Sequence, residues 1–156
     1  MEATRRRKIV AVASGGGHWV QMRRILPAFA GCEAVHVSVG PVPASDGAEA
    51  PVRAYRVHDV TRKNPLGLVR LVWQLARILR AERPDVVVTT GAAPGLVGLG
   101  LAKLVTRSRT IWIDSVANTE RLSLSGRMAR PVADAWLVQW EHLAREGGPQ
   151  YWGAVL

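Results

Sequence analysis

Lys8-Ile9-Val10-Ala11-Val12-Ala13-Ser14-Gly15-Gly16-Gly17-His18 is an apolar run of strand length that breaks into three consecutive glycines and a histidine. A continuously apolar, β-branched run predicts a strand buried on both faces, here Lys8 to Ala13. The residues from His18 to Ala30 predict a helix that Pro27 shortens. Strand, glycine loop and helix start thus follow one another. Three residues without Cβ let the backbone reach positive φ and let a ligand come close to the amides. The first helical turn leaves about four N–H groups without intrahelical partners at the positive end of the helix dipole, so an anion is the guest that suits such a loop. Spacing alone leaves a tight turn packed on a neighbouring strand as the alternative. His18 sits at the same end, either as a general base or as a satisfied structural histidine. The loop is not the dinucleotide fingerprint, because the third glycine of G-x-G-x-x-G would fall at Val20, and no Gly-Lys-Ser/Thr follows to make a P-loop.

Outward from this unit the chain alternates. Strands are expected at Ala34 to Val39, Val52 to His58, Asp85 to Thr89, Arg109 to Asp114 and Ala135 to Gln139. Helices are expected from Pro65 to Glu82, where proline opens the element and Pro84 ends it, and from Pro94 to Val105. Leu122 to Ala133 reads as mostly helix, Gly40 to Pro51 as a loop, and Tyr151 to Leu156 as a final strand or an extended arm. Buried strands separated by helices imply a doubly wound parallel α/β sheet, Rossmann-like, in one domain spanning residues 1–156. Ligands in such folds gather at the carboxyl ends of the strands. Three polar or glycine-rich loops are expected there: Ser14 to His18, Thr90 to Ala93, and Ser115 to Glu120.

At 156 residues and 17.0 kDa the chain is one domain's worth of protein, so a function that needs two domains needs a partner. The single Cys32 forms no internal disulfide and points to a reducing, cytoplasmic setting. A formal charge of +9 suggests an acidic partner. No recognition motif supports nucleic acid. Arg5 to Lys8 has the charge of a signal-peptide n-region, but the apolar run behind it is too short for one, and residues 1–7 read as a basic arm. The apolar stretches Leu66 to Leu79 and Leu96 to Val105 are broken by charges, and neither offers the roughly 20 apolar residues of a spanning helix. Around the Leu66 to Glu82 helix, Arg70, Gln74, Arg77 and Ala81 occupy one narrow stripe and apolar residues nearly all the rest. Either that helix packs on several neighbours, or one apolar flank rimmed by Arg70, Arg77, Arg80 and Arg83 lies on an anionic membrane.

The second half carries an ordered series: Pro84-Asp85-Val86-Val87-Val88-Thr89-Thr90-Gly91, Asp114-Ser115, Leu122-Ser123-Leu124-Ser125-Gly126, Ala133-Asp134 and Leu137-Val138-Gln139-Trp140. Together with the Ser-Gly-Gly-Gly-His loop and the closing Tyr151-Trp152-Gly153, this series resembles the membrane-anchoring, acceptor-binding subunit of the two-part UDP-N-acetylglucosamine transferase that builds dolichol-linked oligosaccharides. It is equally similar to that subunit's bacterial relatives in capsule and exopolysaccharide assembly and, more distantly, to the first domain of the peptidoglycan GlcNAc transferase. The resemblance implies the N-terminal, acceptor-binding domain of a GT-B glycosyltransferase. The UDP-sugar would be held by a separate donor-binding subunit, and the acceptor would be a polyprenyl-diphosphate-linked saccharide.

By the same resemblance His18 lies at the reaction centre, and Ser14, Gly15, Gly16 and Gly17 line the acceptor's diphosphate or sugar. Gly91 with Ala92-Ala93 forms a second wall, and Asp114, Ser115, Asn118 and Glu120 a third. The eukaryotic relatives commonly carry Glu where this chain has Asp114, for which an N-cap or loop role is the alternative. Gln139 and Trp140 are read as packing or partner-docking residues, and residues 150–156 as a partner-docking tail. No metal and no cofactor is implied. The short basic arm in place of a membrane anchor implies peripheral contact with the cytoplasmic membrane face. A non-catalytic scaffold that recruits and activates a partner glycosyltransferase at the membrane is the second reading.

Overall fold

A computed structural model of the chain describes residues 5–41, 53–60 and 64–155. Seven parallel strands form one sheet: β1 (Lys8–Ala13), β2 (Glu33–Ser38), β3 (Arg53–Arg56), β4 (Val86–Thr89), β5 (Arg109–Ile113), β6 (Ala135–Val138) and β7 (Gln150–Tyr151). Their order across the sheet is β3-β2-β1-β4-β5-β6-β7. β1 is central, with Val10 opposite Val35 of β2 on one side and Val87 of β4 on the other.

The two-residue alternation of strand side chains divides the core. Val10, Val12, Val35, Val37, Val87 and Trp112 face the helices α2 (Pro65–Glu82), α3 (Ala92–Leu101) and α4 (Leu124–Met128), where they meet Leu71, Leu75, Leu79, Leu99 and Ala129. Ala11, Ala13 and Val88 point the other way, toward Trp19 and Met22 of α1 (Gly17–Ile25). Helices on both faces of a wholly parallel sheet make the fold doubly wound and Rossmann-like.

The expected elements are present with shifted ends. α1 stops at Ile25, and Pro27 lies in the 3-10 turn Leu26–Phe29 that follows. α2 begins at Pro65, capped by the Asn64 side chain, which accepts from the Gly67 amide at 3.1 Å. It ends at Glu82, with Arg83 in the left-handed conformation before Pro84. α3 starts at Ala92, earlier than the expected Pro94, and runs into a π-helical turn, Ala102–Thr106.

Leu122 to Ala133 is a correction. Only Leu124–Met128 is α-helical, followed by the 3-10 turn Arg130–Val132. Pro131 lacks the amide that would continue the helix. The tail is both strand and arm: β7 has two residues, and residues 152–155 run on extended. The expected loop from Gly40 to Pro51 lies outside the described residues apart from Gly40 and Pro41, as do Val52 of the third strand and Leu156 of the tail. Among the described residues no helix is long and apolar enough to cross a membrane.

Candidate functional site

The order of the strands reverses between β1 and β4, so the loops that follow these two strands diverge to opposite faces and leave a crevice between them. The glycine loop fills one side. Gly16 takes φ 68° as the residue before α1, and its carbonyl accepts from the amides of Trp19 and Val20 at 3.0 and 3.2 Å. No side chain caps this helix start. Gly15, Gly16 and Gly17 are exposed, and nothing lies within 4 Å of where a Cβ would stand on any of them. The amides of Gly17 and His18, which the bonds to the Gly16 carbonyl do not use, are therefore open to a ligand.

β4 supplies the other side. His18 and Thr90 clasp each other: the imidazole Nδ1 lies 2.9 Å from the Thr90 carbonyl, and the Thr90 hydroxyl donates to the His18 carbonyl at 2.7 Å. A carbonyl only accepts, so Nδ1 carries a proton, and the neutral tautomer compatible with this contact has its lone pair on Nε2. Among the described residues Nε2 has no hydrogen-bond partner. Gly91, at φ 122°, lies directly against the ring, where a Cβ would come within 3.0 Å of His18 Cε1. The next residue, Ala92, opens α3 at φ 65°, a conformation disfavoured for residues other than glycine.

β5 delivers the third loop, and here the polar groups serve one another. The Asp114 carboxylate is 2% exposed and accepts from four donors. Trp112 Nε1 and the Ser123 hydroxyl reach Oδ1 at 3.2 and 2.7 Å, while Asn118 Nδ2 and the Ser123 amide reach Oδ2 at 3.1 and 3.0 Å. The oxygens are thus turned toward α4 and its N-cap, Ser123, and Asn118 is spent on the same carboxylate. Ser115 faces α1 instead, accepting from Gln21 Nε2 at 2.9 Å. Glu120 is exposed and lies over a separate cavity of about 350 Å³ with Arg121, Arg127, Trp136 and Arg145, which shares no lining residue with the glycine loop.

Thus the structure brings Gly15, Gly16, Gly17, His18 and Gly91 together around one crevice and sets Ser115 behind α1. It places Glu120 elsewhere. Two residues that sequence reasoning passed over complete the arrangement. Thr90 orients His18. Gln21, buried on α1, accepts from the Val116 amide at 3.0 Å and from Gln139 Nε2 at 2.8 Å, tying the first loop to the third. A glutamine on the helix face that also carries Trp19, Met22 and Ile25 was the available signal. Gln139 in turn donates to the Asp114 carbonyl at 2.9 Å and accepts from the Val155 amide at 3.0 Å, and Arg24 donates to the Val155 carbonyl at 3.1 Å. This pins the tail beside α1. Among the described residues no group of three or more His, Cys, Asp or Glu side chains is placed to hold a metal ion.

Comparison with known proteins bears on this arrangement. The family described as "Oligosaccharide biosynthesis protein Alg14 like" matches residues 48–155. The chain is 38% identical over 78 residues to the UDP-N-acetylglucosamine transferase subunit ALG14 of Eremothecium gossypii, which is 47% of this chain and 35% of that protein. It is 34% identical over 81 residues to the same-named subunit of Candida albicans, 48% of this chain and 37% of that one. The matched stretch therefore spans little more than a third of those relatives. Among solved structures, MurG of Acinetobacter baumannii superposes with a TM-score of 0.73 at 13% identity, over 93% of this chain and 45% of that one. UDP-N-acetylglucosamine 2-epimerase from Rickettsia bellii gives 0.66 at 13% identity, over 88% and 40%. At that identity the likeness is one of fold, a Rossmann-like domain amounting to less than half of each neighbour.

Proposed function

The chain belongs to the Alg14-like family of oligosaccharide biosynthesis proteins, and from that membership we propose that it is the acceptor-binding subunit of a heteromeric glycosyltransferase. In this reading a partner subunit holds a UDP-sugar, and this chain presents a polyprenyl-diphosphate-linked saccharide to it. The observation that carries the reading is the pairing of His18 with Thr90, which fixes the tautomer and leaves Nε2 as an acceptor beside the open amides of the glycine loop.

The chemistry follows from those two features. The amides of Gly15, Gly16 and Gly17 and the positive end of α1 bind the acceptor's diphosphate or sugar. The acceptor hydroxyl attacks the anomeric carbon of the donor sugar, the bond from that carbon to UDP breaks, and His18 Nε2 takes the hydroxyl proton. Configuration inverts, because attack comes from the face opposite the departing UDP. Asp114, Ser115 and Asn118 support the acceptor from behind by holding the third loop rather than by contact, and Glu120 stands outside this crevice.

Two surfaces support the partners. Residues 150–155 carry the exposed Tyr151 and Trp152 on a pinned tail, which suits docking of a second subunit. On α2, Leu66, Val69 and Trp73 are 79, 67 and 57% exposed beside a row of arginines, which suits peripheral contact with an anionic membrane face.

The test is the kinetics of the His18→Ala subunit in the assembled enzyme. Turnover should fall about 10²-fold or more with the complex intact, the scale of a lost general base. Unchanged turnover in an intact complex would reassign the chain as a non-catalytic scaffold that recruits its partner.

A further inference from the structure

β3 is the edge of the sheet, and the space between it and α2 has no covering strand among the described residues. Two cavities lie along that seam. One of about 380 Å³ is lined by Tyr55, Arg56, Trp73, Gln74 and Arg77, and the other, about 410 Å³, by Arg56, His58, Asp59, Arg70 and Gln74. Arg56 and Gln74 belong to both, so the cavities adjoin as one groove.

Its donors are largely unspent. Gln74 gives only its carbonyl, to the His58 amide at 2.8 Å, so its amide hydrogens remain available. Arg56 uses Nε on the Val39 carbonyl at a long 3.4 Å. Arg77 is stacked over the Trp73 ring, 4.6 Å from its centroid, a contact that consumes none of its N–H donors. Arg70 has no partner among the described residues. Three guanidinium groups thus line a groove whose one carboxylate among the described residues is Asp59.

The seam also continues onto an apolar surface. At 3.6 residues per turn, Leu66, Val69 and Trp73 form a strip along α2, and Arg70 and Arg77, seven residues apart, form the adjoining strip toward β3. A free phosphate would answer the arginines and leave that strip in water. A ligand with an anionic head and hydrocarbon chains answers both.

We propose that the groove between β3 and α2 binds the phosphate headgroup of an anionic membrane lipid whose chains lie against Leu66, Val69 and Trp73. The inference rests on the membrane reading above and adds to it a discrete headgroup site. Diffuse attraction of a basic protein to an anionic leaflet would weight all nearby cations alike; a site concentrates the effect on Arg56, Arg70 and Arg77.

Co-sedimentation of the full chain with phosphatidylcholine vesicles, with and without phosphatidylglycerol, tests it. Wild type should bind only the vesicles containing phosphatidylglycerol. Arg70→Gln combined with Arg77→Gln should weaken that binding about 30-fold, since each cation at an anionic surface is worth roughly fivefold. Arg80→Gln with Arg83→Gln, an equal charge change on the same basic row but outside both cavities, should weaken it no more than about fivefold, where diffuse attraction would cost as much as the first pair. All four positions are exposed, so circular dichroism and thermal midpoint should be unchanged. Equal losses in the two pairs would overturn the headgroup site and leave the membrane reading standing. Failure of folded wild type to bind either vesicle would overturn both. Saturable binding of sn-glycerol 3-phosphate in the groove without vesicle binding would reassign it to a soluble phosphate and overturn the lipid assignment.

Discussion

Residue by residue, the crevice depends on the absence of side-chain atoms as much as on their presence. Gly91 makes room for the His18 ring and holds a φ of 122° that side chains resist. Gly91→Ala should therefore destabilise the fold by about 1–3 kcal/mol, through strain and overpacking, and push the imidazole off Thr90. Chemical denaturation measures the first effect, and the His18 ring resonances in NMR the second. Gly126 is needed for a different reason: a Cβ there would run into the Asp114 carboxylate and the Ser123 hydroxyl. Removing a charged acceptor that four donors share leaves buried groups unsatisfied, so Asp114→Ala should cost about 2–4 kcal/mol of stability. A loss below about 0.5 kcal/mol, within the range of surface substitutions, would show that the carboxylate is free for substrate. The glycine loop and His18 stood out by residue type and position, whereas the turning of Asp114 onto Trp112, Asn118 and Ser123 did not. Nor did Thr90 and Gln21, because their partners lie 72 and 94 residues away in the chain.

Among the elements, α2 is anchored where it meets β1 and β3. Glu82, at its last turn, accepts from Tyr55 Oη at 2.6 Å and pairs with Lys8 at 3.2 Å and Arg53 at 2.8 Å. Burial alone would raise its pKa, but the Tyr55 hydroxyl, the Lys8 ammonium and the Arg53 guanidinium outweigh it and hold the carboxyl below its ordinary 4.5. Asp134 is lowered likewise: burial opposes, while Lys103 and the Thr110 amide and hydroxyl prevail. A carboxyl with a depressed folded pKa binds its proton more readily when unfolded. Its stabilisation is complete above the unfolded value and is lost as pH falls through the folded one. The urea midpoint should thus hold from neutrality to about pH 5 on account of these two groups and fall below about pH 4.5, and Glu82→Gln should flatten that fall. At the other edge, Gln139→Leu should free the tail without unfolding the sheet, read as faster hydrogen exchange at the Val155 amide. The α2 boundaries were legible because Pro65 and Pro84 bracket it. The Leu122 to Ala133 stretch was not, since its local pattern is helical while Pro131 and the Asp114 anchor at Ser123 break it up.

For the molecule as a whole, the alternation of apolar strands and helices was enough to expect a doubly wound parallel sheet, and the glycine loop was enough to mark a candidate ligand site at its carboxyl end. The strand order was not legible, because parallel neighbours such as β1 and β4 pair across more than seventy residues and leave no local signal. That order is what sets the His18 loop beside Thr90 and Gly91. It also arranges the polar crevice, the pinned tail and the apolar flank of α2 around one sheet, which supports the proposed meeting with a lipid-linked substrate and a partner subunit. The most direct test is to purify the tagged chain from its native cells in mild detergent and assay what emerges for transfer from a UDP-sugar to a polyprenyl-diphosphate-linked acceptor. A stoichiometric second subunit and transfer that His18→Ala abolishes is the predicted result. A chain that emerges alone, monomeric and without transfer activity would contradict the account.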